Sequence, residues 1–378
     1  MRQGERWWHS RADDLIALVA DGRARYVYHP DTVAEKIAEL WHGLPSIDGF
    51  YYAVKANAHP AILETAARNG LGFECASAEE VIRVRQVAGP SVPVLFTPNF
   101  CPMEEFALAR VHGAEIVVDG PQVFELAPGL FAGAELGVRI DPGRGLGHHR
   151  NVVTAGAATK FGLALDELES FAREAEHRGA RIVGLHAHVG SGILEPEAWA
   201  ETGEVLLAAL SGFPEARWID LGGGLGVPQE PGQPELDLAR LDAGLRALKA
   251  GHGGIAFRLE PGRFLVSEAG VLVAPVTQVR RKGDLFFAGI ATGMNSLLRP
   301  ALYGAWHGIH NLSRLEETPT RVWQIVGPIC ESSDVFGRDR RIPDPRPGDV
   351  LLVENAGAYG AVMASRYNLR EPAEEVAL

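Results

Sequence analysis

From Gly49 onward, short apolar runs alternate with segments of helical spacing, and each run ends in a polar or glycine-rich turn. Eight runs stand out, at 50–54, 72–75, 92–96, 115–118, 135–140, 181–188, 217–221 and 256–259. Their nearly continuous apolar character suits strands buried on both faces, as in parallel sheets. The intervening segments carry helix punctuation. Ser77-Ala78-Glu79-Glu80 has a capping-box pattern, and Gly70, Gly89, Gly113, Gly179 and Gly253 stand where helices tend to end. Eight βα units predict an α/β fold built on one closed (β/α)8 TIM barrel, with an open doubly wound sheet as the competing arrangement. After Gly270 the pattern changes to β-branched runs without helices, at 271–279, 285–288, 321–326 and 350–353. That change predicts a barrel over 29–270 and a C-terminal β domain over 271–378, to which residues 24–28 of the first 28 add a strand.

A chain of 378 residues has room for about two domains. With 46% hydrophobic and 22% charged residues it has the composition of an ordinary globular protein, which excludes a disordered chain. Its 36 Lys and Arg against 48 Asp and Glu leave a net charge of −12 with no basic cluster, so phosphate backbones and anionic lipid surfaces would be repelled. Neither nucleic acid nor membrane is the expected partner; a small molecule is. Cys75, Cys101 and Cys330 form no CxxC motif and leave one thiol over in any pairing, the opening MRQGERWWHSRADD lacks a signal-type apolar stretch, and no run of about 18 apolar residues occurs. These features predict a cytoplasmic protein with free thiols.

In βα barrels the chemistry sits just past the strand ends. Lys55 follows Tyr51-Tyr52-Ala53-Val54, where desolvation would lower its pKa and favour attack on an aldehyde, although a lysine there can also simply snorkel from a rim. Gly222-Gly223-Gly224 can offer backbone N–H groups to an anion, and with Arg263 it falls at the loops after strands seven and eight, where barrels bind phosphate. Glu260 ends the last strand, beside the first after closure, so it could pair with a pyridinium nitrogen next to Lys55. His186 and His188, two apart, share a strand face and could begin a metal site with His148 and His149; no nearby Asp or Glu completes a familiar zinc pattern, and no metal is expected. Cys75 and Cys101 read as packing residues, and Glu74 as a rim residue or an aid to a cofactor.

Taken in order, YYAVKAN, HAHVGSG, DLGGGLG, EPGR, Cys330-Glu331-Ser332-Ser333-Asp334 and Glu354-Asn-Ala-Gly-Ala-Tyr359-Gly resemble the pyridoxal-phosphate decarboxylases of the alanine-racemase-like fold (fold type III). The spacing is most like the diaminopimelate decarboxylases, and the likeness runs from about Tyr26 to Asn368. The resemblance implies a bound pyridoxal 5'-phosphate joined to Lys55, with His188 stacked on its ring and Glu260 at the ring nitrogen. It further implies that Ser191, Gly223, Gly224, Gly262, Arg263 and Tyr359 hold the cofactor. Arg263, Arg299, Tyr303, Glu331 and Tyr359 would bind an amino-acid substrate with a distal carboxylate and ammonium. Cys330 would reach in from the second subunit of a homodimer as the proton donor. Two departures stand out: Gly190-Ser191-Gly192 replaces Gly-Ser-Gln, as in the ornithine branch, and the terminal Tyr-Asn-x-Arg-Pro motif appears as Tyr367-Asn368-Leu-Arg-Glu-Pro372. The chain also resembles the decarboxylase half of bacterial fusions with aspartate kinase. The competing readings are an ornithine- or arginine-type diamine-forming decarboxylase, a metal-dependent barrel hydrolase and a non-catalytic pyridoxal-phosphate-binding protein.

Overall fold

The computed structural model describes residues 6–145, 154–156 and 159–378. The chain forms two compact units, one comprising Ala34–Val227 with Pro234–Phe264, the other comprising the residues up to Val33, Pro228–Gln233 and Leu265–Leu378. Strand β1 (Arg25–Tyr28) belongs to the second unit, and the next eight strands belong to the first. They are β2 (Gly49–Ala53), β3 (Gly72–Cys75), β4 (Val94–Phe96), β5 (Glu115–Val118), β6 (Glu135–Arg139), β7 (Arg181–His186), β8 (Trp218–Asp220) and β9 (Ala256–Leu259).

All eight pair in parallel with their sequence neighbours, and β2 closes on β9 through Gly49 opposite Arg258 and Phe50 opposite Leu259. The chain therefore forms the predicted closed barrel and not the competing open sheet. Four strands, β4, β6, β7 and β8, are shorter than their apolar runs. Pro93 has no N–H for the ladder, so β4 starts at Val94, although the Pro93 carbonyl still accepts from Phe73 N–H at 2.9 Å. The run at 181–188 leaves the strand at His186, which frees His188 to turn elsewhere. Ser77 caps the helix Ala78–Ala88 by accepting from Glu80 N–H at 3.2 Å, but the Glu80 carboxylate takes the N–H of Ala76 at 2.7 Å, one residue earlier than a capping box requires. Of the glycines read as helix ends, Gly70, Gly89, Gly113 and Gly179 adopt left-handed backbone, while at the fifth end Gly254 does so in place of Gly253.

Tyr51, Leu95, Val117 and Trp218 come from four different strands and meet in one buried cluster, so they fill the barrel interior. Gly184 makes room for the indole: a Cβ there would lie 2.0 Å from the Trp218 ring. The Arg258 guanidinium lies 4.3 Å from the Trp218 ring centre and pairs with Glu115 at 2.8 Å. A core plugged in this way leaves chemistry to the strand ends.

The second unit holds β1 with β10 (Gly270–Lys282), β11 (Leu285–Ile290), β12 (Ile309–Asn311), β13 (Trp323–Val326), β14 (Val335–Arg340), β15 (Val350–Val353) and β16 (Glu374–Ala377). They form a mixed sheet in the order β12-β15-β10-β11-β13-β14, with β1 pairing both β10 and β16. Residues 24–28 do supply a strand, antiparallel to β10 with Arg25 opposite Val273. The apolar pattern missed β12, β14 and β16, because β12 is only 3 residues long and β14 and β16 carry charges. Trp7, Trp8, Leu15, Val19 and Val27 pack with Val271, Val273, Leu312, Val350 and Leu352. At roughly 1.5–3 kcal/mol for each large side chain fully buried, this cluster anchors the N-terminal segment well beyond its one strand.

Candidate active site

The barrel sets its reactive residues at successive strand ends. β2 runs into a 3₁₀ turn, Val54–Ala56, that carries Lys55. Glu74 lies in β3, His186 ends β7, Asp220 ends β8 and Glu260 follows β9. Lys55 Nζ is 2.5 Å from Glu74 Oε2, and Thr97 Oγ1 donates to the other Glu74 oxygen. The apolar setting expected for Lys55 is thus corrected: its side chain is 37% exposed and faces a fully buried carboxylate. Burial pushes the Glu74 carboxyl up, but the Lys55 charge and the hydrogen bonds from Lys55 and Thr97 outweigh it and hold the group below its ordinary range.

The glycine triplet is a fitted part and not a loose turn. A Cβ on Gly223 would stand 2.2 Å from the Glu260 carbonyl oxygen, and one on Gly224, whose φ is 97°, would stand 2.7 Å from that of Gly190. Gly222 N–H donates to Asp220 Oδ1 at 2.9 Å, and the Gly223 carbonyl accepts from Trp199 Nε1 at 3.1 Å. Gly223 N–H donates to His188 Nδ1 at 3.0 Å, so the His188 proton sits on Nε2. Burial drives the His188 pKa well below its ordinary value, with the Lys55 charge acting in the same direction, and the ring stays neutral. Arg263 Nη2 donates to Ser191 Oγ at 3.1 Å, and Gly262 is buried beside it.

His186 Nε2 lies 3.1 Å from Glu260 Oε1, in contact but out of line for a hydrogen bond. Burial lowers His186 to about 4. Burial and then the Glu260 charge raise Asp220 to about 7, and burial with the Glu74 charge raises Glu260. Glu260 Oε1 and Asp220 Oδ2 are buried with no hydrogen-bond partner among the described residues. A buried carboxyl in that state is costly unless something polar meets it. A ring nitrogen would meet Glu260, and with the amine of Lys55, the neutral ring of His188 and the Ser191–Arg263 pair nearby in the same unit, these residues fit pyridoxal phosphate. The donors that come together for a metal are His186, Asp220 and Glu260, within 4.8 Å of one another, and His188 is not among them. His148 and His149 lie outside the described residues.

The second unit carries the remaining candidates. Arg299 and Tyr303 begin and end a short helix, Arg299–Tyr303. Arg299 is 1% exposed, and its guanidinium donates to His307 Nε2 at 3.1 Å and to Gln229 Oε1 at 3.4 Å. His307 Nδ1 donates in turn to the Glu354 carbonyl at 2.7 Å, which fixes its tautomer. Tyr359 follows β15 with a left-handed backbone, φ 55°. Cys330 and Glu331 are exposed on one loop.

Sequence reasoning gave no role to Arg139, Asp220, Thr97 or His307. Arg139 is buried at the end of β6, where burial lowers its pKa while the charges of Glu260 and Glu74 oppose that. A charge inside an otherwise apolar run was the available signal for Arg139 and Asp220; nothing local marks Thr97 or His307.

Residues 31–267 match the family described as pyridoxal-dependent decarboxylase, pyridoxal binding domain. Barrel, β domain and site together define an amino-acid decarboxylase that uses pyridoxal phosphate, with the alanine-racemase-like fold; the hydrolase and carrier readings fall away. The chain is 35% identical to the diaminopimelate decarboxylase of Methanothermobacter thermautotrophicus over 96% of this chain and 88% of that one. It is 33% identical to that of Streptomyces coelicolor over 96% and 86%. The crystal structure of diaminopimelate decarboxylase from Helicobacter pylori complexed with L-lysine superposes with a TM-score of 0.88 at 28% identity, covering 96% of this chain and 93% of that one. The chain belongs to the diaminopimelate decarboxylase family.

Proposed function

We propose that this protein decarboxylates meso-2,6-diaminopimelate to L-lysine and carbon dioxide, the last step of bacterial lysine synthesis. The observation that carries the chemistry is the buried Glu260 carboxyl without a hydrogen-bond partner at Oε1, at the end of the strand that pairs with the strand leading into Lys55. When bound, pyridoxal phosphate supplies a sink for the electron pair left by the departing carbon dioxide.

Lys55 Nζ is the amine that would hold the cofactor, and the ionised Glu74 carboxylate accepts from it. Glu260 would meet the ring nitrogen, and the neutral His188 ring would pack against the cofactor. Ser191, Gly224, Gly262, Arg263 and Tyr359 would hold the phosphate end, with Gly223 lining it as backbone while its N–H serves His188. Arg299, Tyr303 and Arg263 bind the distal carboxylate of the substrate, Glu331 its ammonium, and Tyr359 completes the pocket. Cys330 donates the proton that replaces the lost carboxylate, a general-acid contribution of ~10²–10⁴-fold.

Because Cys330 and Glu331 stand exposed on their own subunit, the reading places them in the active site of a second subunit in a homodimer. Mixing Lys55→Ala with Cys330→Ala protein under exchanging conditions tests this: hybrid dimers with one intact site regain activity, and absence of recovery removes the shared site. The free thiols Cys75, Cys101 and Cys330 agree with a cytoplasmic setting, and no helix among the described residues is long and apolar enough to cross a membrane. The likeness to the decarboxylase half of bacterial aspartate-kinase fusions raises the question of a fused kinase portion, which the mass of the native polypeptide tests.

A diamine-forming decarboxylase would give the buried Arg299 no distal carboxylate to bind. Assaying meso-diaminopimelate, lysine, ornithine and arginine side by side, with products identified, decides between the two. Lysine formed from diaminopimelate with little turnover of the others supports the proposal; faster release of a diamine from ornithine or arginine overturns it.

A further inference from the structure

The Tyr367-Asn368 motif, which the function so far leaves unused, folds back onto the Cys330 loop. Asn368 has φ 58°, a left-handed conformation that asparagine tolerates better than most residues. Its Oδ1 accepts from Cys330 N–H at 3.0 Å, and its Nδ2 stands 3.0 Å from Cys330 Sγ. The first contact sets the orientation of the amide. A backbone N–H must meet the oxygen, so the NH₂ group must face the sulfur. Asn368 therefore donates to the sulfur and cannot accept from it through that atom. A donor of this kind interacts more strongly with a thiolate than with a thiol.

The loop is pinned from its other end as well. Asp334 is buried and accepts from Ile329 N–H at 2.7 Å and from Met294 N–H at 2.6 Å, and its own N–H donates to the Glu331 carbonyl at 3.1 Å. Tyr367 OH donates to Glu331 Oε1 at 2.6 Å. The Glu331 carboxylate, and after it Cys330, hold the Tyr367 hydroxyl protonated up to about 12, so this residue remains a donor at any assay pH. The titratable groups around Cys330 are thus Glu331 on its own loop and Tyr367 on the returning segment, with Asp334 behind and Arg370 acting on Asp334.

We propose that Asn368 is a positioning residue for the protonation step, holding Cys330 in place through its backbone and stabilising the thiolate that remains once the proton has left. This rests on the reading of Cys330 as proton donor. In that step the S–H bond breaks, a C–H bond forms at the carbon that lost carbon dioxide, and the pair stays on sulfur until water returns a proton.

The test is the pH profile of iodoacetamide alkylation at Cys330 in the holoenzyme, followed peptide by peptide by mass spectrometry. Asn368→Gly keeps the left-handed backbone and removes both contacts; Asn368→Asp keeps the acceptor for Cys330 N–H and removes the donor to sulfur. In Asn368→Gly, losing one hydrogen bond to a charged group moves the alkylation midpoint up by about one pH unit and lowers kcat about tenfold, with KM changed little, and in Asn368→Asp the new carboxylate beside the sulfur moves the midpoint further the same way. Midpoints equal to wild type in whichever variants fold overturn the proposal. Cys330→Ala separates the two readings: if it leaves kcat unchanged, Cys330 is not the proton donor, while the alkylation midpoints still judge Asn368 by themselves.

Discussion

The barrel unit and the β unit handle charge in opposite ways. In the barrel, Glu74, Glu260, Asp220, His186 and Arg139 are all buried and set one another's protonation. Glu74 stays ionised because Lys55 and Thr97 reach it, whereas Glu260 and Asp220 are pushed toward the neutral form because burial and like charge act together. In the β unit the candidate groups Cys330, Glu331 and Tyr367 lie at the surface and are steered by hydrogen bonds from the returning Tyr367-Asn368 segment, while buried Arg299 donates to His307 and Gln229. A closed cluster fixes electrostatics before any ligand arrives; an exposed loop fixes direction and leaves its environment to what docks on it.

Substitutions can break this contrast at graded cost. Lys55→Ala should have the largest effect, abolishing turnover and the visible absorbance that borohydride discharges in wild type; a borohydride-sensitive band persisting in the variant would show that another amine holds the cofactor. Arg299→Ala should lower kcat/KM for diaminopimelate by about tenfold to a hundredfold, the worth of a lost charge-assisted hydrogen bond of ~1.5–3 kcal/mol, and should leave any ornithine turnover alone. An unchanged kcat/KM would remove the basis for the distal-carboxylate clamp.

The smallest effect concerns stability of the cofactor-free protein. Burial and the Glu260 charge push the folded Asp220 carboxyl up from 3.8 to about 7, so between those values the native state holds a proton that the unfolded state has lost. Stability from this group is therefore present at low pH and declines as pH rises through that window. Asp220→Asn keeps an acceptor for Gly222 N–H and removes the titration, so melting temperature should fall less steeply from pH 5 to pH 7 than in wild type. Parallel curves would place the proton elsewhere in the cluster.

The sequence pattern alone set the architecture. Parallel strands buried on both faces must be written as apolar runs, and eight such runs with helical spacers leave little choice beyond a barrel or an open sheet. The candidate site residues are also visible, because they sit in the short polar segments that directly follow those runs. Lys55, His188, Glu260 and the glycine triplet could be found by position alone.

What only the folded chain decided is the state of those residues. Lys55 follows an apolar run that predicts a desolvated amine, yet Glu74 and Thr97 arrive from neighbouring strands to make it half of an ion pair. His307 clamps Arg299 from 8 residues away, and Asn368 grips Cys330 across 38. Protonation and orientation depend on charges and donors within a few ångströms, and chain folding brings those neighbours from positions that no local pattern connects.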